Sequence, residues 1–381
     1  MRQTSLINTQ KTWETAAAKL SGEPELALDT ESNSLYVYRE RICLIQIGSR
    51  EETFLVDPLA IKDLSALGEL LADPSIVKIL HGSDYDLRSF DRDYGFKVQA
   101  LFDTETAARF LGETSPNLAS VLETFLRVSI AKSRKMQRSN WAVRPLTPSA
   151  REYAANDVRY LVQLACELRQ QLVGLDRLDW VQEECRRLEE ARYAPPDPTG
   201  LAFLRAKRTE SLGPQALAVF KELFLWRDAE ARRWDHPPFR VLSNETLVQL
   251  AQVAADSSRA SLKNVVEAFP TPSQYWCGIQ GAIEQGLAAP EVYRPQPPRN
   301  ANPWTPECRD RLQRFKQWRT RRAASLELDP PLLWPAASLE RLALQPQDWR
   351  AEVLSETNSD VRAWQRREFG QELRSVLGVG N

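Results

Sequence analysis

The chain has 381 residues, 43% of them hydrophobic, enough for two or three domains with cores of their own. Fifty basic residues stand against 51 acidic ones, a net charge of -1, so any nucleic-acid surface must be local. Two histidines (His81, His236) and five scattered cysteines (Cys43, Cys166, Cys185, Cys277, Cys308) without a CxxC pair argue against a disulfide framework, a zinc site and most histidine-based catalysis; a bound metal would have oxygen ligands, which favours Mg²⁺ or Mn²⁺. The first residues, MRQTSLINTQKTWE, lack the apolar core of a signal peptide, and no apolar run approaches the roughly 18 residues of a membrane span, so a cytoplasmic protein is expected.

In chain order, ELALDTE, ICLIQIG and TFLVD read as three short strands in a meander. LSALGELLAD reads as a helix, SIVKIL as a buried strand and DLRSFDRDYG as a helix start. LFDT is a short extended piece; ETAARFLGE, NLASVLETFLRV and TPSAREYAANDVRYLVQLACELRQQLVG are amphipathic helices. A meander followed by β-α-β predicts an α/β domain over 1–175, with a mixed sheet and helices on both faces. A helical connector and the proline-rich ARYAPPDPTG occupy 176–207. Strand signals almost vanish after Leu201, which predicts helical modules over 208–288 and 304–381, joined by a second proline-rich linker over 289–303. The modules read as a duplication: Trp226-Arg227 and Trp318-Arg319 each precede a Pro-Pro pair (Pro237-Pro238, Pro330-Pro331) by about ten residues, and Leu247 and Leu339 follow at similar offsets.

Five side chains in the first domain carry candidate chemistry. Asp29 and Glu31 lie two apart on a strand, so their carboxylates share a face and repel unless a cation sits between them. Asp86 lies near the start of a helix, where the helix dipole favours an acid, with Asp84 as the expected N-cap. His81 is expected to orient the strand-to-helix turn. Tyr153 and Asp157 lie four apart on one helix face, and the helix is expected to run on through Tyr160 and Leu161. Singly, each piece equally suits solvated acids or a packing pair.

Together the pieces resemble the three motifs of the DEDD-superfamily exonucleases, in the subgroup with tyrosine in the third motif, and most of all the ribonuclease D family. The likeness spans most of residues 1–175: LIQIG and FLVDPL follow the first motif, LFDTETAARFLGE follows the second, and KSRKMQRSNWAVRPLTPSAREYAANDVRYL runs into the third. It implies a ribonuclease H-like fold and two divalent cations, with Asp29 bridging both, Glu31 and Asp157 completing the first site, Asp86 holding the second and Tyr153 orienting the attacking water. Two cations roughly 4 Å apart would activate that water and neutralise the leaving oxygen. One departure is Asn140 in QRSNW, where the family often has aspartate. The 208–288 module resembles the HRDC domain shared with certain helicases, and 304–381 looks like a diverged copy.

Between Arg127 and Arg151 stand seven basic residues and no acid, which predicts a phosphate-guiding surface carried by Lys132, Arg134, Lys135 and Arg138 with Trp141 among them. Tyr36 and Arg39, after the first motif, suit single-stranded bases. Arg299 to Arg322 holds eight basic residues against Glu307 and Asp310, a second place for nucleic-acid contact; Trp226 and Trp318 read as core anchors. The expected function is metal-dependent 3′-5′ exoribonuclease activity releasing 5′-mononucleotides, with precursor tRNA as the substrate the family implies and no small-molecule cofactor. The alternatives are a DNA 3′-5′ exonuclease and a catalytically silent nucleic-acid-binding adaptor.

Overall fold

Six strands form one sheet in the computed structural model, which describes residues 3–131, 133–195, 200–256, 262–269, 271–295, 304–354 and 360–378. They are β1 (Gln3–Ile7), β2 (Glu25–Ser32), β3 (Ile42–Gly48), β4 (Glu52–Val56), β5 (Val77–Leu80) and β6 (Leu101–Asp103), in the order β1-β4-β3-β2-β5-β6. β3 and β4 are antiparallel, whereas β1 runs parallel to β4, β5 to β2 and β6 to β5. The sheet is therefore mixed, as expected. β3 is buried along its whole length, which explains its unbroken apolar run. β2, β5 and β6 point the same way, so their C-terminal ends open on one edge, where α/β folds place their sites.

Among the described residues, nine helices flank or follow the sheet: α1 (Gln10–Leu20), α2 (Ser65–Ala72), α3 (Asp84–Tyr94), α4 (Thr104–Phe110), α5 (Leu118–Leu126), α6 (Arg134–Gln137), α7 (Pro148–Arg159), α8 (Leu161–Gly174) and α9 (Leu178–Leu188). Three details differ from the sequence reading. β1 and α1 went unforeseen: QTSLI buries only Ile7, so as an edge strand it lacks the apolar signal of the others. The long helix expected through residue 174 breaks at Tyr160, which ends α7 and precedes α8. The N-cap of α3 is Ser83; Asp84 is the first helical residue and pairs with Arg88 at 2.8 Å.

The chain divides into two units. The first comprises Met1–Glu31, Ile42–Tyr193 and Asn300–Asn381, the second Ser32–Arg41 and Ala194–Arg299. The linear domain list is thereby revised. The C-terminal module shares a core with the exonuclease-like fold, and the segment after β2 belongs with the first helical module.

The second unit contains α10 (Pro214–Arg233), α11 (Pro238–Val241), α12 (Asn244–Asp256), α13 (Leu262–Glu267) and α14 (Trp276–Ala288), around a core with Phe220, Leu223, Leu247, Leu250, Ile279 and Ile283. Ser243 caps α12 by accepting from the Thr246 N–H at 3.0 Å. Gly286 lets α14 lie against α10, since a Cβ there would stand 2.4 Å from Val219 Cα. The C-terminal module contains α15 (Pro306–Leu326), α16 (Pro330–Leu333), α17 (Ala336–Leu344), α18 (Trp349–Leu354) and α19 (Ala363–Leu377).

The two modules match in register as well as in helix order. α15, α16 and α17 start 92 residues after α10, α11 and α12. The left-handed residues Asp235 (φ 48°) and Glu327 (φ 55°) keep that spacing. So do Arg227, which donates to Leu242 O at 3.1 Å, and Arg319, which donates to Trp334 O at 3.0 Å. A shared backbone conformation and a shared arginine-to-carbonyl bond support duplication better than composition does.

Candidate active site

β2 presents Asp29 and Glu31 on one face, and α7 brings Asp157 to the same place. One carboxylate oxygen from each lies within 4.8 Å of the others. Asp86, in the first turn of α3, is 6% exposed. It accepts the hydroxyl of Thr30 at 2.5 Å and also the Thr30 backbone N–H. Thr30 stands between Asp29 and Glu31 and points from the other face of β2, so one strand holds two carboxylates and anchors a third. Sequence reasoning missed Thr30, whose signal was its place inside the first motif. His81 fixes the turn before α3, with Nδ1 at 2.9 Å from Thr104 Oγ1 and Nε2 at 2.8 Å from Pro116 O, the orienting part expected of it.

The position of α7 is set by small residues. Thr147 caps it, Pro148 opens it, and Ala150, Ala154, Ala155 and Val158 form its buried face. A Cβ on Gly48 would lie 3.1 Å from Val158 O and 3.4 Å from Ala27 Cβ, so a bare backbone at the end of β3 lets the helix settle. Gly48→Val is expected to push α7 outward and move Asp157 and Tyr153 together. Since a 1 Å misplacement can cost about a hundredfold, kcat should fall at least about tenfold; activity equal to wild type in a folded Gly48→Val protein would show that α7 is not held there.

The electrostatics are those of crowded carboxylates. Burial, then Asp86, Asp157 and Glu31, hold the Asp29 carboxyl well above its ordinary range. Burial, Asp157 and Asp86 push Glu31 up to about 9. Burial raises Asp86 and Asp157 to about 7 each, although the Thr30 bonds oppose the rise at Asp86. A converging all-oxygen set of this kind fits hard divalent cations.

Tyr153 lies one helical turn before Asp157. Its phenol is pushed above its ordinary pKa by burial and then by Asp157, Glu31 and Asp29, and it is hydrogen-bonded to the side chain of Gln137. It therefore holds its proton at neutral pH. Gln137, at the end of α6, was not singled out from the sequence; nothing but its place in the QRSNW segment marked it. A cavity of about 220 Å³ adjoins these groups, lined by Asn117, Gln137, Tyr153, Asn156 and Asp157 among others.

The expected nucleic-acid residues separate by environment. Arg134, Lys135 and Arg138 are exposed, and Lys132 lies outside the described residues. Trp141 is 2% exposed and packs with Cys43, Leu44, Leu55 and Ala154 beside Tyr153 (ring centroids 6.1 Å apart), so the contact expected of it is corrected to a core role. Arg144, counted in the basic stretch, binds Asp57 at 2.6 and 2.8 Å and the Trp141 and Cys43 carbonyls, and is part of the fold. Asn140 Oδ1 accepts the Ala142 N–H at 3.1 Å. That bond needs a side-chain oxygen and no charge, so asparagine serves where aspartate is usual. Tyr36 lies under the Arg240 guanidinium (4.5 Å) within the second unit, and Arg39 is exposed.

A family model described as a 3′-5′ exonuclease matches residues 4–173, and one described as an HRDC domain matches residues 216–267. Ribonuclease D of Desulfotalea psychrophila is 30% identical over 344 residues, covering 90% of this chain and 91% of the relative. Ribonuclease D of Pseudomonas paraeruginosa is 30% identical over 357 residues, covering 93% and 92%. The crystal structure of Escherichia coli RNase D, an exoribonuclease involved in structured RNA processing, is similar over 99% of both chains, with a TM-score of 0.71 and 26% identity.

Proposed function

The chain belongs to the ribonuclease D family and is a 3′-5′ exoribonuclease; from that premise we propose that it hydrolyses RNA by a two-metal-ion mechanism and trims the 3′ ends of structured RNA, precursor tRNA among them. The observation that carries this reading is the convergence of Asp29, Glu31 and Asp157 within 4.8 Å beside Tyr153 and the Thr30-anchored Asp86. Asp29, Glu31 and Asp157 would hold one cation, and Asp29 with Asp86 the other; the charge crowding at all four supports this. The chemistry the cations supply when bound is acidification of the attacking water and neutralisation of the leaving oxygen.

The chain's own residues do the rest. Tyr153, steadied by Gln137, keeps its proton and directs a water at the terminal phosphodiester. A P–O bond to that water forms, the bond to the 3′-oxygen of the preceding nucleotide breaks, and that oxygen takes a proton as the 5′-mononucleotide leaves. The exposed Arg134, Lys135 and Arg138 would guide phosphates. No helix among the described residues is long and apolar enough to cross a membrane. The cytoplasmic location expected from the sequence belongs to the same reading, and the five free cysteines fit a reducing compartment.

The test uses labelled RNA and matched DNA oligonucleotides with Mg²⁺, Mn²⁺ or a chelator. Stepwise shortening of RNA that needs a divalent cation supports the mechanism. Equal shortening of DNA would move the substrate class, and binding without shortening would leave only an adaptor. In the same assay Tyr153→Phe is expected to lower kcat about 10²–10³-fold with KM little changed, the mark of a group used in the transition state. Unchanged kcat would remove Tyr153 from the machinery.

A further inference from the structure

β2 runs on past its neighbour. It pairs with β5 over residues 25–27, opposite 77–79, and β5 ends at Leu80. Beyond that point the chain turns through Gly82 (φ 71°) into α3. The Asp86 carboxylate fills the place a continuing strand would take beside β2. It accepts the Thr30 N–H, as a ladder carbonyl would, and its Oδ1 accepts the Thr30 hydroxyl at 2.5 Å. The same N–H also reaches the Asp29 carboxylate. One residue therefore ties together the two acids assigned to the second cation.

Thr30 and Asp86 are both buried. A buried carboxylate draws little on water, so the protein groups it meets set its orientation. Asp86 also stands outside the compact set, since the groups whose oxygens lie within 4.8 Å of one another are Asp29, Glu31 and Asp157. Those three are placed by β2 and α7, whatever the Thr30 side chain does. Asp86 is carried by α3, and among the described residues the one side-chain hydrogen bond to its carboxylate comes from Thr30. Threonine suits that task, because branching at Cβ leaves its hydroxyl few directions to point.

We propose that Thr30 is a positioning residue for the second cation: by occupying Oδ1 of Asp86, its hydroxyl leaves Oδ2 to the cation that Asp86 shares with Asp29. The proposal rests on the two-metal reading and adds the group that sets the affinity of the second site apart from that of the first. A side chain of the same shape without a donor would leave the Asp86 carboxylate free to turn, while the set of Asp29, Glu31 and Asp157 keeps its place. Partners that orient a metal-bound carboxylate govern the affinity of the ion as its direct ligands do.

The experiment measures Mn²⁺ binding to the full-length protein, followed by the paramagnetic resonance signal of the free ion, with one equivalent of 5′-AMP and no RNA. The parent should show two classes of site. Thr30→Val, which keeps the shape and loses the hydroxyl, should weaken one class about 10- to 100-fold and leave the other within about threefold. Thr30→Ser, which keeps the hydroxyl, should restore the weakened class. With Asp86→Asn already in place, Thr30→Val should weaken binding no further, because its effect passes through that carboxylate. In RNA turnover the valine variant should need more Mn²⁺ and recover kcat when the ion saturates. Unchanged binding in Thr30→Val, or equal weakening of both classes as a displaced β2 would produce, overturns the proposal and leaves the two-metal reading in place. So does a serine variant no better than valine, or a further loss on top of Asp86→Asn. A parent that binds fewer than two Mn²⁺ overturns both.

Discussion

Asp29→Asn is expected to lower kcat by about 10⁴-fold, the scale on which an essential member of a catalytic set is lost, and to make the metal-free protein more stable. Both effects have one cause. Asp29 shares its surroundings with Asp86, Asp157 and Glu31, and its carboxyl stands well above its ordinary range. A carboxyl raised in the folded state binds more protons there than in the unfolded chain, so metal-free stability falls as pH rises from about 4, the ordinary value, through the folded-state values, about 7 for Asp86 and Asp157 and about 9 for Glu31. At pH 8 the asparagine variant lacks one of the repelling charges, and its melting temperature in a chelator should exceed that of wild type. Adding Mg²⁺ or Mn²⁺ should reverse the order. A cation that binds only the folded site contributes about 2.7 kcal/mol at a hundred times its Kd, and the variant should lose most of that gain. Scanning calorimetry with and without the ion is the measurement. A variant that retains turnover, or whose melting point responds to the ion as wild type does, refutes the site.

The candidate site was legible because each member lies on a regular element with a short-range signal. Alternation on β2 places Asp29 with Glu31, and the four-residue step on α7 places Tyr153 with Asp157. What was not legible depends on contacts distant in sequence. Trp141 sits among basic residues, and only the sheet beneath it shows that it is core. Arg144 looks like its neighbours until Asp57, 87 positions earlier, claims it. Tyr36 carries no mark that it lies under Arg240. The break at Tyr160 falls inside an apolar periodicity that continues on both sides, so pattern alone merges α7 with α8. A linear reading of linkers and repeats likewise suggests beads on a string, and here it misjudges where the last module belongs.

That module is expected to melt with the catalytic fold. Trp364→Ala should destabilise the exonuclease domain by about 3–5 kcal/mol, the usual cost of truncating a buried tryptophan. Trp364 is 1% exposed, stacks on Trp180 of α9 with centroids 4.6 Å apart and meets Phe110 of α4 edge-on at 5.4 Å. Helix ends reinforce this core. Glu183 accepts the Ala363 and Trp364 N–H groups at the start of α19, at 2.6 and 3.0 Å. Arg177 donates to Phe110 O at the end of α4 and to Leu326 O at the end of α15, both at 2.8 Å. One guanidinium therefore satisfies the carbonyl ends of a catalytic-domain helix and a C-terminal-module helix, where the helix dipole favours a cation. Thermal inactivation of nuclease activity should shift in Trp364→Ala together with the loss of tertiary signal, because Asp103, which caps α4, also accepts the Ser83 N–H at the head of the helix carrying Asp86. Phe220→Ala, in the separate core of the second unit, should leave that inactivation temperature where it was. If Trp364→Ala instead leaves the inactivation temperature unchanged while its own tertiary signal is lost, the C-terminal module is not part of the cooperative unit that holds the carboxylates.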